Sequence, residues 1–156
     1  MNRKRREVLK AGGGASLFAL LAAAGMLPPV AAHAADVSQK AFEAKNLKET
    51  FDALGAGGRI DSPLIAMNAP EIAENGAVVP IGVQSKIPGT ESIAILIAKN
   101  PNPLAASFDI PAGTDATVST RVKMAETSEV HVLVRAQGRY YATRKEIKVT
   151  IGGCGG

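Results

Sequence analysis

Ile93-Ala94-Ile95-Leu96-Ile97-Ala98 is the stretch that decides the fold. Isoleucine returns at every second position, which is the period of a β-strand, whose successive side chains point to opposite faces. The intervening Ala94, Leu96 and Ala98 are apolar too, so this strand is expected to be buried on both faces. Asn100-Pro101-Asn102-Pro103 breaks it, because proline removes a donor and favours turns.

The same period extends outward in both directions. Downstream, Leu104, Ala106, Phe108 and Ile110 form an alternating set closed by Pro111 and Gly113. Val118, Thr120, Val122 and Met124 point one way, with Ser119, Arg121 and Lys123 on a wet face. Val130, Val132, Val134 and Ala136 face the core opposite His131 and Arg135, and Gly138 marks a hairpin turn. A last strand is predicted from Tyr140 to Ile151, with Ile147, Val149 and Ile151 inward. Upstream, Val79, Ile81 and Val83 alternate with Pro80, Gly82 and Gln84; Pro80 cannot donate to a ladder and belongs at an edge or a strand start. Leu64 to Met67 is a short strand, and Glu71-Ile72-Ala73-Glu74-Asn75-Gly76 reads as a solvated loop before a strand.

A helix is predicted over 37–54. Asp36 and Gln39 resemble a capping box, Val37, Ala41, Lys48, Phe51 and Leu54 fall at helical spacing with Phe42 and Leu47 beside them, and Gly55, Gly57 and Gly58 end it. About seven strands with frequent turns and one leading helix predict a mainly β protein: an immunoglobulin-like antiparallel β-sandwich with one N-terminal helix and a flexible C-terminal tail. There is no Cys…Trp…Cys core, which excludes an antibody domain.

The segment before Ala35 reads as a signal peptide. Arg3, Lys4, Arg5, Arg6 and Lys10 form a charged start, Ala15 to Leu27 is a short apolar run, and Ala32-His33-Ala34 is an A-x-A cleavage site. Arg5-Arg6-Glu7-Val8-Leu9-Lys10 resembles the twin-arginine export signal, which carries folded proteins. The expected organisation is therefore a signal peptide over 1–34, a sandwich domain over 35–151 and an arm over 152–156. Removing the signal takes away five Lys/Arg and one Glu and leaves 13 basic and 13 acidic residues. The basic balance of the whole chain thus belongs to the signal, and no charge argument remains for nucleic acid or an anionic membrane as a partner.

The chemistry concentrates at the other end, in Gly152-Gly153-Cys154-Gly155-Gly156. Cys154 is the only cysteine of the chain. A packing cysteine would sit among apolar neighbours, whereas this one is flanked by four glycines, as a narrow, mobile arm carrying one nucleophile would need. No cation adjoins it in sequence and the terminal carboxylate is near, so nothing local lowers its pKa. A self-sufficient thiol enzyme activates its own nucleophile; this thiol relies on another protein, which is the logic of a carrier. A lone cysteine in an exported protein cannot form an internal disulfide. Prenylation needs Cys fourth from the end, and Cys154 is third. His131 is the one histidine of the mature chain and fits a surface or satisfied strand residue. No His/Cys/Asp set has metal spacing, and no glycine-rich loop joins a strand to a helix for phosphate. Neither a metal nor any other cofactor is expected.

Pro70 to Pro80 (Pro-Glu-Ile-Ala-Glu-Asn-Gly-Ala-Val-Val-Pro), the Asn100-Pro101 loop and above all the Gly152 to Gly156 tail resemble the SoxY family. The resemblance covers the mature chain and the twin-arginine signal. It implies an immunoglobulin-like sulfur carrier of periplasmic thiosulfate oxidation, not itself a catalyst, with Cys154 as the attachment point and Gly152, Gly153, Gly155 and Gly156 as its flexible arm. It implies SoxZ as the paired subunit, and SoxAX, SoxB and SoxCD as enzymes that load, hydrolyse and oxidise the cargo. Two other readings of the residues stay open: an exported sandwich domain that dimerises through a Cys154 disulfide, and a metal-delivery protein with Cys154 as one ligand.

Overall fold

The computed structural model describes residues 39–152. The chain enters through helical residues 39–43 and then a second helix, α1 (Leu47–Leu54). The single predicted helix is thus broken at residues 44–46, and its predicted start at 37–38 lies outside the described residues. The break has a local cause. Asn46 is extended and its side chain accepts from the Glu49 N–H at 2.9 Å, while Glu49 reaches back to the Lys45 N–H at 3.0 Å. This reciprocal pairing satisfies amides that a new helix start leaves orphaned. Glu49 is held below the usual carboxylate range by the Lys45 amide first and by Asn46 second. Gly55, at φ 71°, closes α1 as expected; its N–H bonds Asp52 O, and the Ala56 N–H bonds Phe51 O.

Nine strands follow among the described residues: β1 (Ile60–Asp61), β2 (Ile65–Asn68), β3 (Ile72–Asn75), β4 (Val79–Ser85), β5 (Thr90–Ile97), β6 (Leu104–Asp109), β7 (Thr117–Val122), β8 (Ser128–Ala136) and β9 (Arg139–Ile151). One sheet has the order β1-β9-β8-β5-β6, with β3 also paired to β9; the other has the order β2-β4-β7. The two sheets close over one core, in which Ile93, Ile95 and Ile97 of β5 and Val130, Val132 and Val134 of β8 meet Val79, Ile81 and Val83 of β4. This is the expected immunoglobulin-like sandwich, with two parallel additions that alternation did not reveal. Both β1 and β3 run parallel to β9, so residues 72–75, expected as a solvated loop, are a strand.

β5 is buried on both faces, as its sequence requires, because the large sheet has a second apolar layer. Ala94 and Leu96 pack with Leu104, Leu133 and Ala142 beneath Ala41, Phe51 and Ala56 of the helical segment. The same cover buries His131, which alternation had placed on an open face. Pro80 sits in β4, the middle strand of its sheet, but past the last pair that β2 makes, Asn68 with Gly82, so it does not interrupt that ladder. β8 and β9 form a hairpin whose two turn residues, Gln137 and Gly138, have φ 52° and 72°, the left-handed pair that a tight type I′ connection needs.

Candidate functional site

β9 is the longest strand, and it carries the chain out of the fold. Its first residues pair antiparallel with β8 through Ile147, and its last ones pair parallel with β3, with Ile72 opposite Lys148 and Asn75 opposite Ile151. Around this end, the Lys148 N–H donates to Glu71 O at 2.9 Å, the Thr150 hydroxyl donates to Glu74 O at 2.9 Å, and the Val149 N–H donates to Thr127 Oγ1 at 2.9 Å. The strand is therefore secured to its last residue even where apolar packing has ended. Ile147 is fully buried, Val149 is half-buried, and Ile151 is 69 % exposed. The expectation that Ile151 points inward fails because the sandwich core stops short of it.

Gly152 follows Ile151 and is the last described residue; Gly153, Cys154, Gly155 and Gly156 lie outside the described residues. Cys154 is two positions beyond Gly152 in sequence, with Gly153 between them, a span of at most about 7 Å. What the described residues show of this region is the β9 end itself, where β3 and the connection between β7 and β8 meet. β3 was missed because its burial pattern shows one inward residue, Ala73, and no alternation of apolar side chains.

His131, which the sequence presents as a surface or satisfied strand residue, is a packing residue. Its ring meets the Phe51 ring edge-on with centroids 5.9 Å apart. Nε2 is buried and lies 3.4 Å from Glu129 Oε2, without the alignment of a hydrogen bond. Burial pushes the imidazole pKa down, Arg144 and Arg59 push the same way, and Glu129 opposes them. The guanidinium of Arg59 stacks on the other partner, Phe51, at 3.7 Å from the ring centre. These groups border an open cleft of about 290 Å³ lined by Gly57, Arg59, Asp61, His131, Thr143 and Arg144. Gly152 lies eight positions beyond Arg144, about 26 Å along the strand, so this cleft stands well apart from the β9 end. Among the described residues, no cluster of three metal-ligating side chains occurs, and no helix is long and apolar enough to cross a membrane.

The fold and the β9 end define a class: a β-sandwich whose last strand runs out to a glycine-flanked cysteine. The family model described as "Sulfur oxidation protein SoxY" matches residues 52–154, from α1 through that cysteine. The chain belongs to the SoxY family. Among solved structures, the sulfur carrier protein SoxY from Chlorobium limicola f thiosulfatophilum is similar at 42% identity and a TM-score of 0.57, covering 64% of this chain and 93% of that one. A structure of toxic shock syndrome toxin-1, concerned with T cell specificity and activation, aligns at 12% identity and a TM-score of 0.40, over 55% of this chain and 97% of that one, and bears on neither fold nor function here. Among curated proteins, no match was found.

Proposed function

We propose that this protein is the exported sulfur carrier of a thiosulfate-oxidising system, with the cargo bound covalently to Cys154. The observation that carries this reading is that the family match runs from α1 through residue 154 and so takes in the cysteine itself. The similar solved structure bears the name of a sulfur carrier protein, which supports the same reading.

The chemistry is set by the thiol. Cys154 and thiosulfate couple when the thiol loses its proton and two electrons pass to a redox partner. A new S–S bond then joins Cys154 Sγ to the sulfane sulfur, giving a cysteine S-thiosulfonate. Water attacking the terminal sulfonate breaks the bond between sulfane and sulfonate sulfur. Sulfate leaves and a cysteine persulfide remains. In this reading catalysis falls to partners of the SoxAX, SoxB and SoxCD types, with a SoxZ-type subunit as the standing partner, as membership of the SoxY family supports. Gly153, Gly155 and Gly156 would keep the cargo-bearing arm narrow enough for several different active sites. Replacement of Cys154 by serine is expected to abolish thiosulfate-dependent turnover in a reconstituted system and to change stability by no more than about 0.5 kcal/mol, the range for sites away from special features. Turnover that survives the substitution would sink the carrier reading.

Residues 1–34 are proposed to direct export to the periplasm by the twin-arginine route, leaving a sandwich domain over 35–151 and an arm over 152–156. Mature protein should begin Ala35-Asp36 on N-terminal sequencing. Replacing Arg5 and Arg6 by lysine should block export, and unchanged export would point to the general secretory route instead.

A further inference from the structure

The three stretches that carry the family resemblance are far apart in sequence, and the fold brings them together at the end of β9. Gly76, from the Pro70–Pro80 stretch, donates its N–H to Ile151 O at 2.7 Å and accepts from the Met124 N–H at 2.7 Å. It thereby ties the last residue of β9 to the 123–127 connection between β7 and β8. Asn100, from the Asn100-Pro101 loop, grips that connection with both ends of its amide: Nδ2 donates to Lys123 O at 2.8 Å, and Oδ1 accepts from the Ala125 N–H at 3.0 Å. A carboxylate could accept but not donate, and an aliphatic side chain could do neither.

The Ala125 carbonyl fixed in this way lies against Gly152, the first residue of the tail. A Cβ on Gly152 would overlap that carbonyl oxygen and touch its carbon. Gly152 has no left-handed φ, so glycine is needed here for space and not for backbone conformation. It is a close-packed root, a different task from the one its composition implied.

We propose that Asn100 is a positioning residue for the carrier thiol: by holding Ala125 against Gly152, it sets the direction in which the chain leaves β9 and hence where Cys154 is presented. The word carrier rests on the function proposed above; the positioning does not. Cys154 is two residues beyond this root in sequence, so the root is the nearest described point from which its position can be biased. Misplacing a reacting group by 1 Å can cost about a hundredfold in rate.

The chain's single cysteine makes the test direct. A nitroxide on Cys154 and a second on Ser107→Cys, an exposed position of β6, report the distance between arm and sandwich by double electron–electron resonance. Asn100→Ala and Gly152→Ala should shift and broaden the distance distribution, and Asn100→Asp should lie between them and wild type. Gly58→Ala should leave it unchanged, because a Cβ there meets nothing. A purely structural role for Asn100 would lower the melting temperature without moving the distribution. A wild-type distribution in folded Asn100→Ala overturns the proposal; if Asn100→Ala does not fold, Asn100→Asp, which keeps the acceptor for the Ala125 N–H and loses the donor to Lys123 O, decides in its place. Without labels, Asn100→Ala should also slow thiosulfate loading by a partner enzyme about tenfold or more, with its rate towards a small maleimide unchanged. Shifted distances with no sulfur uptake by wild type would refute the carrier reading and leave the positioning intact. Uptake by wild type with unshifted distances would do the reverse.

Discussion

His131 shows how one residue's environment departs from its place in a pattern. Val130, Val132 and Val134 alternate with it, and alternation alone puts it on an open face; the helical cover over that face buries it against Phe51. Its pKa lies below the ordinary 6.5, chiefly through burial, with Arg144 and Arg59 adding to the effect and Glu129 opposing it. The unfolded chain therefore binds a proton more readily than the folded one. The stability tied to the neutral ring is fully present above about pH 6.5 and is lost as pH falls through the lower folded value. Thermal melts between about pH 8 and pH 5 should show a falling melting temperature on the acid side, and His131→Phe should flatten that part of the curve. Parallel curves for the two proteins would mean that another group carries the acid sensitivity. Asn46 is a similar case at the level of a single cap: Asn-x-x-Glu over 46–49 is visible in the sequence, yet the apolar spacing on either side hides that it starts a new helix.

At the scale of elements, what could be read followed burial. β5 was legible because both of its faces are apolar, one towards β4 and one towards the helical cover. β4, β7, β8 and the first part of β9 were legible because one face alternates into the core. β1 and β3 were not. They are two and four residues long, mostly exposed, and attached to β9 by backbone bonds that any sequence can make. The exposed end of β9 at Ile151 was misread for the same reason, since the period continues past the core that gives it meaning. The energetic consequence is uneven. Ile95→Ala removes a fully buried side chain from the centre of the sandwich and should cost about 3 kcal/mol in denaturant unfolding. A loss below about 1 kcal/mol would mean that the two sheets close up around the gap.

At the scale of the whole molecule, burial changes along one strand. The part of β9 between Ala142 and Ile147 is packed into the fold, while its end is secured by backbone bonds to β3 and passes straight to the tail. The tail stands out in sequence because the chain's only cysteine is set among four glycines instead of apolar neighbours; that the first of them, Gly152, is packed against Ala125 could not be read there. The surroundings of its root were not, because they are assembled from residues 76, 100 and 125, each unremarkable in its own stretch. The most direct test of the carrier account is the intact mass of the mature protein taken from cells oxidising thiosulfate. The account predicts species heavier than the free chain by the atoms of one thiosulfate, S2O3, and by one sulfur atom, both reversed by reductant and both absent from Cys154→Ser. A spectrum holding only the free thiol and a Cys154-linked dimer of twice the mass would contradict it and favour a structural disulfide.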